Sequence, residues 1–183
     1  MIPAGYMAKH VAALPEVQRP EGVIDVYSVS GCISTNFADY ISFRKHNGYF
    51  LFDSPRIIRS LASKLRRDLR GARLFYYEIH DEQLANNGEW EALPEEWLWE
   101  FDTNVIPPTN AVLEGFDVVT CSQGTAPECS PLSCNGLAPE CGANAHGLLD
   151  TFERARQLLN QGAFLNSEPG PYRIFAVYSL AWP

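Results

Sequence analysis

Apolar and polar positions alternate along Val23-Ile24-Asp25-Val26-Tyr27-Ser28-Val29, a run rich in β-branched residues that predicts a strand, with Ser30-Gly31-Cys32 reading as the turn behind it. Tyr49-Phe50-Leu51-Phe52 is a short continuous apolar run, the pattern of a buried strand. Asp53-Ser54-Pro55 then supplies a capping group and a proline suited to the first helical position. From there the period becomes helical. Ile57, Ile58, Leu61, Ala62, Leu65 and Leu69 fall along one side, Arg59, Arg66, Arg67 and Arg70 on the other, and Gly71 closes the helix. Arg73-Leu74-Phe75-Tyr76-Tyr77-Glu78-Ile79 returns to a strand pattern.

Regularity fades over residues 80–115, where Asn86-Asn87-Gly88 marks a turn, Pro94-Glu95-Glu96 opens a short helix and Pro107-Pro108 must be extended. Phe116–Cys121 predicts another strand. Asp150-Thr151-Phe152-Glu153 resembles a capping box, and the helix behind it places Phe152, Ala155, Leu158 and Leu159 on one face before Gly162. Tyr172–Tyr178 carries the strongest strand pattern of the chain.

Residues 56–79 and 150–178 share a plan: a helix, then a strand headed by an arginine, Arg73 in one and Arg173 in the other, each helix preceded by a predicted strand. Two strand–helix–strand units predict a single α+β domain over residues 1–183. We expect a mixed or antiparallel sheet of about five strands, two main helices on one of its faces, and an irregular Cys/Pro/Gly-rich loop insertion at 121–147. Convergent patterning of amphipathic elements accounts for the likeness of the two units more cheaply than duplication.

Composition agrees with a globular domain: 183 residues, 46% apolar, with ten Phe, eight Tyr and four Trp to fill a core. No stretch approaches the roughly 20 apolar residues of a membrane span. The first ten residues lack the basic start and apolar run of a secretory signal, so the expected location is cytoplasmic. Five cysteines, an odd number, suit reduced thiols or metal ligands better than a disulfide framework.

The net charge of −8 is unevenly spread: seven of the fourteen basic residues lie between Arg56 and Arg73, and none lies between Leu74 and Glu153, where fifteen Asp and Glu occur. Such a chain is a poor ligand for nucleic acid or an anionic membrane and a better one for a basic protein. The basic stripe of the first helix is read as pairing with the Glu-rich segment 89–102. Within that segment Trp90, Trp97 and Trp99 stand among acids, Glu95 and Glu96 included. This is the composition of a recognition surface, or of rings that cover one edge of the core.

Two chemistries remain. Residues 124–135 (GTAPECSPLSCN) and 136–147 (GLAPECGANAHG) form a tandem repeat that offers Cys129, Cys134, Cys141 and His146 as a Cys3His set, which suits structural zinc. The plainer account is a Gly/Pro loop whose thiols are small buried hydrophobes. A cysteine nucleophile would be Cys32, just past a predicted strand with His80 as its base, or Cys134 near His146. No Walker A, G-x-G-x-x-G or HExxH motif is present. The leading expectation is therefore a non-catalytic protein-interaction module with an acidic, Trp-bearing surface for a basic partner. A cysteine-dependent hydrolase or transferase is the alternative.

Overall fold

The computed structural model describes residues 1–11, 22–31, 35–36, 46–94, 104–121 and 126–183. In them the chain forms, in order, β1 (Ile2–His10), β2 (Thr35–Asn36), α1 (Pro55–Lys64), β3 (Arg73–Leu84), β4 (Trp90–Ala92), β5 (Val112–Thr120), α2 (Ala138–Cys141), α3 (Phe152–Asn160) and β6 (Tyr172–Leu180). Every strand pairing is antiparallel, in the order β2-β1-β3-β6-β5, with β4 on the far end of β3. This is the single α+β domain the pattern predicts.

Two predicted strands take other forms. Residues 23–29 lie across the sheet, and their backbone bonds run to the loop beyond α2: Ile24 N donates to Ala145 O at 2.8 Å and Tyr27 N to His146 O at 3.1 Å. Residues 49–52 contribute only the bridge between Phe52 and Tyr6. Conversely, β1 shows no alternation in sequence because Ala4 through Lys9 are buried on both faces. Helix α1 stops at Lys64, short of the predicted Gly71. Arg66 takes a left-handed φ of 53°, and Arg67 N reaches back to Ala62 O at 2.8 Å, the bond that closes a helix end. In α3, Thr151 caps by accepting from Arg154 N at 3.1 Å, and its opening turn carries Glu153.

The two strand–helix–strand units correspond far more closely than their amphipathic patterns show. Strands β3 and β6 pair at the centre with Tyr77 opposite Val177; β1 flanks β3 and β5 flanks β6. A pseudo-two-fold axis therefore relates β1-α1-β3 to β5-α3-β6. Gly5 sits opposite Tyr77 and Gly115 opposite Val177, each at a register shift, with φ of 138° and 144°. Asn47 donates to Ala4 O at 2.8 Å and accepts from Tyr49 N and Leu51 N; Asn144 donates to Glu114 O at 2.9 Å and accepts from His146 N and Leu148 N. Asp53 and Asp150 each hold the second proton of their asparagine amide. Each clip ends in a bridge to its strand, Phe52 to Tyr6 and Leu149 to Phe116. The shared signature is Asn-x3-Leu-[Phe/Leu]-Asp-[Ser/Thr] at 47–54 and 144–151.

Helix α3 sends Ala155, Leu158 and Leu159 into a cluster with Val118 and Ile174, while Ile58, Leu61 and Ala62 of α1 join the larger cluster with Ala8 and Leu74. The opposite sheet face, with Met7, Lys9, Phe75, Tyr77, Asp117 and Phe175, is covered by residues 22–31, whose Tyr27 ring meets Phe75 at 5.0 Å.

A Cβ on Gly5 would stand 2.8 Å from Leu51 Cβ, and one on Gly115 2.7 Å from Leu149 O, in backbone conformations that L side chains rarely adopt. Gly5→Ala and Gly115→Ala should each cost about 2–4 kcal/mol from combined strain and overpacking, read as a lowered urea midpoint. An effect under about 0.5 kcal/mol at either site would show that the clip loop yields.

Candidate functional site

Deep under residues 22–31 lies a polar cluster on an otherwise apolar face. Asp117 is fully buried and accepts from Ser28 Oγ (2.6 Å), Ser130 Oγ (2.6 Å) and Val29 N (2.9 Å). Lys9, also fully buried, donates from Nζ to the carbonyls of Ser28 and Ser30, the latter at 2.9 Å. Burial pushes the Asp117 carboxyl up against the pull of its three donors and of Lys9. Sequence reasoning passed over both residues because neither belongs to a motif. Their signal is a charged residue inside an apolar strand, as in Phe116-Asp117-Val118.

The tandem Cys/Pro repeat is not a structural repeat. In the first copy Glu128 and Cys129 run beside Thr120, with Glu128 N donating to Thr120 O and Thr120 N to Cys129 O; in the second, Pro139–Cys141 is helical. Cys129 and Cys134 are half-buried, Cys141 is buried in the α3 cluster, and His146 faces Asp25. The four predicted ligands do not converge: among the described residues no group of three or more His, Cys, Asp or Glu side chains could hold a metal ion.

Of the cysteines proposed as nucleophiles, Cys32 lies outside the described residues. Cys134 Sγ stands 3.6 Å from Ser30 Oγ and 3.9 Å from Ser133 Oγ. His80 lies at the β3–β4 hairpin, where its ring meets Phe152 and Trp90 edge-on at 4.6 and 6.0 Å. Burial pushes the Cys121 thiol up to about 11 and raises that of Cys141, which leaves both protonated and unreactive.

Of the predicted recognition residues, Trp90 stands on the hairpin. Trp90 is half-buried against α3: its Nε1 donates to Asn160 Oδ1 at 2.7 Å, and the Arg156 guanidinium lies 4.6 Å from its ring centroid. Asp81, Glu89 and Glu91 are exposed around it, and Glu82 pairs with Arg156 at 3.3 Å. His80 Nδ1 lies 2.8 Å from Asp81, while Nε2 stands 3.4 Å from Glu82 Oε2 without the alignment of a hydrogen bond. Glu95, Glu96, Trp97 and Trp99, which continue this segment, lie outside the described residues.

A second, largely buried constellation was not foreseen. His146 Nδ1 meets Asp25 Oδ1 at 2.5 Å, and its ring stacks on Tyr27 with centroids 3.9 Å apart. Asp25 Oδ2 pairs with Arg73 at 3.3 Å, and that guanidinium lies 5.1 Å from the Tyr27 centroid. These residues are about 50 positions or more apart in sequence except within residues 25–27, so no local motif could announce them.

No family model, curated protein or solved structure matches the chain. Its function is therefore argued from geometry.

Loss of hydration is the largest influence on His80 and holds its imidazole below the ordinary value, against the pull of Asp81 and Glu82. A lowered folded-state pKa gives stability that is complete above the unfolded value of about 6.5 and is lost as pH falls through the folded value. The stability of the wild type minus that of His80→Gln should therefore shrink between about pH 7.5 and pH 5, measured by urea unfolding at each pH. A constant difference would mean that the ring is not held neutral by the fold.

Proposed function

We propose that the protein is a non-catalytic interaction module whose β3–β4 hairpin receives a basic segment of a partner protein. One observation carries the reading. Asp81, Glu82, Glu89 and Glu91 cluster at the hairpin, and among the described residues their only cationic neighbours are Arg156 and, when protonated, His80. The stretch from Leu74 to Glu153 brings no lysine or arginine of its own. Trp90 supplies a large ring with its polar tip already satisfied, so a partner can cover it without stranding the indole N–H. Strand β4 pairs with β3 through only three residues and leads on to the acidic, Trp-rich segment. Like charges gathered there repel one another, and a cationic segment relieves that repulsion on binding. No helix among the described residues is long and apolar enough to cross a membrane.

The test uses an arginine-rich peptide of about 12 residues, followed through the Trp90 indole N–H resonance and by calorimetry. The double variant Glu89→Lys/Glu91→Lys should weaken binding by about tenfold or more, whereas Glu140→Lys at an exposed position of α2 should change it less than about twofold. Equal weakening by both variants would reduce the effect to net charge and overturn the reading, as would binding that leaves Trp90 unshifted.

A further inference from the structure

The pseudo-two-fold fails at one end of the central strand pair, and the failure leaves a cleft. Strand β3 runs on to Leu84, so Gln83 sits opposite Arg173 and accepts from its Nε at 2.9 Å, leaving Arg173 buried. The equivalent stretch is missing from β6, which ends at Leu180 opposite Leu74. Arg73, the counterpart of Arg173, therefore has no β6 residue beside it. The chain turns aside at Ala181 and anchors Trp182 by an indole bond to Ala72 O at 2.9 Å. The space left between is a cleft of about 380 Å³ with Tyr27, Trp182, Leu180 and Val112 on its walls and Arg73 and Asn110 among its polar lining.

We propose that this cleft binds a small planar carboxylate, with the aromatic or conjugated body against Tyr27 and Trp182 and the carboxylate on Arg73. Three features favour that ligand. The volume suits a small organic molecule, since ligand sites run from about 300 Å³ upward. The walls are apolar and aromatic, which rewards a flat body over a sugar or a free phosphate. Arg73 is half-exposed and uses one terminal nitrogen on Asp25; among the described residues its guanidinium has no partner besides Asp25 and the Tyr27 ring. Its remaining donors form the planar fork that receives a carboxylate. Asp25 takes one terminal nitrogen of Arg73 with one oxygen and meets His146 with the other, which leaves the rest of the fork open. Asp25 and the Tyr27 ring hold the guanidinium in orientation.

The probe is 2-naphthoate, compared with the isosteric and neutral 2-naphthamide, titrated into the full chain and followed by the Trp182 indole N–H, the Ser179 amide and tryptophan fluorescence. The expected result is naphthoate binding about tenfold tighter than the amide, with shifts centred on Trp182 and Ser179. Arg73→Gln should remove that preference while leaving weak binding of both probes. Ala181→Trp, which fills the cleft from an exposed position, should abolish both; urea unfolding of each variant establishes that it is folded. Equal affinity for acid and amide, naphthoate shifts centred elsewhere, or undiminished binding to Ala181→Trp would each overturn the proposal.

Discussion

The buried carboxylate of Asp117 is the constraint on which the covered face of the sheet depends. A carboxylate removed from water costs several kcal/mol unless its lone pairs are answered, and here the answers come from two separate stretches of chain. Ser28 and Val29 bring the segment that covers the sheet, and Ser130 brings the loop that leads to α2. Lys9 then ties β1 to that cover through the carbonyls of Ser28 and Ser30. Displacing any one of these segments strands a charge, so the cover holds its register over the sheet although its backbone forms no ladder with it. The orientation of Tyr27, and through it the stacked His146 and the cleft around Arg73, follows from that register.

The repeat explains why the rest of the frame is rigid where it is. In each half an asparagine side chain does the work of an extra strand: it bonds the sheet backbone beside a glycine bulge and two amides of its own loop. This delivers the following Asp-[Ser/Thr] pair to the start of a helix. The glycine is required because the asparagine loop leaves no room for a Cβ, which would stand under 3 Å from its atoms. The two proposed sites lie where the halves differ. The hairpin and the cleft both arise because β3 is longer than β6, which adds an acidic arm at one end of the central pair and leaves a gap at the other.

Much of the frame was legible in sequence. The helix starts, β3, β6 and the core of β5 follow from periodicity and capping, and even the likeness of the two arginine-headed units shows. What was hidden has physical reasons. Strand β1 is covered on both sides and so loses the alternation that betrays a strand. Residues 23–29 alternate because one side faces the sheet, although they pair with a loop. The echo in the Cys/Pro stretch concerns composition and not conformation, whereas the repeat at Asn47 and Asn144 is scattered over eight positions of which three are free to vary. Of the candidate sites, Trp90 among acids was readable from local sequence. The cleft was not, since Tyr27, Arg73 and Trp182 meet only through the sheet.

The register of the central strands also sets Met7 against Asp117 and Lys9 against Val119 as counterparts in the two halves. At this pair of equivalent positions one half contributes a buried carboxylate and the other a buried ammonium. A copy of the first half paired with itself would enclose two ammonium groups with no carboxylate, and the second half paired with itself the reverse. At this one site the two halves therefore complement each other as two different chains would, although they share a single frame.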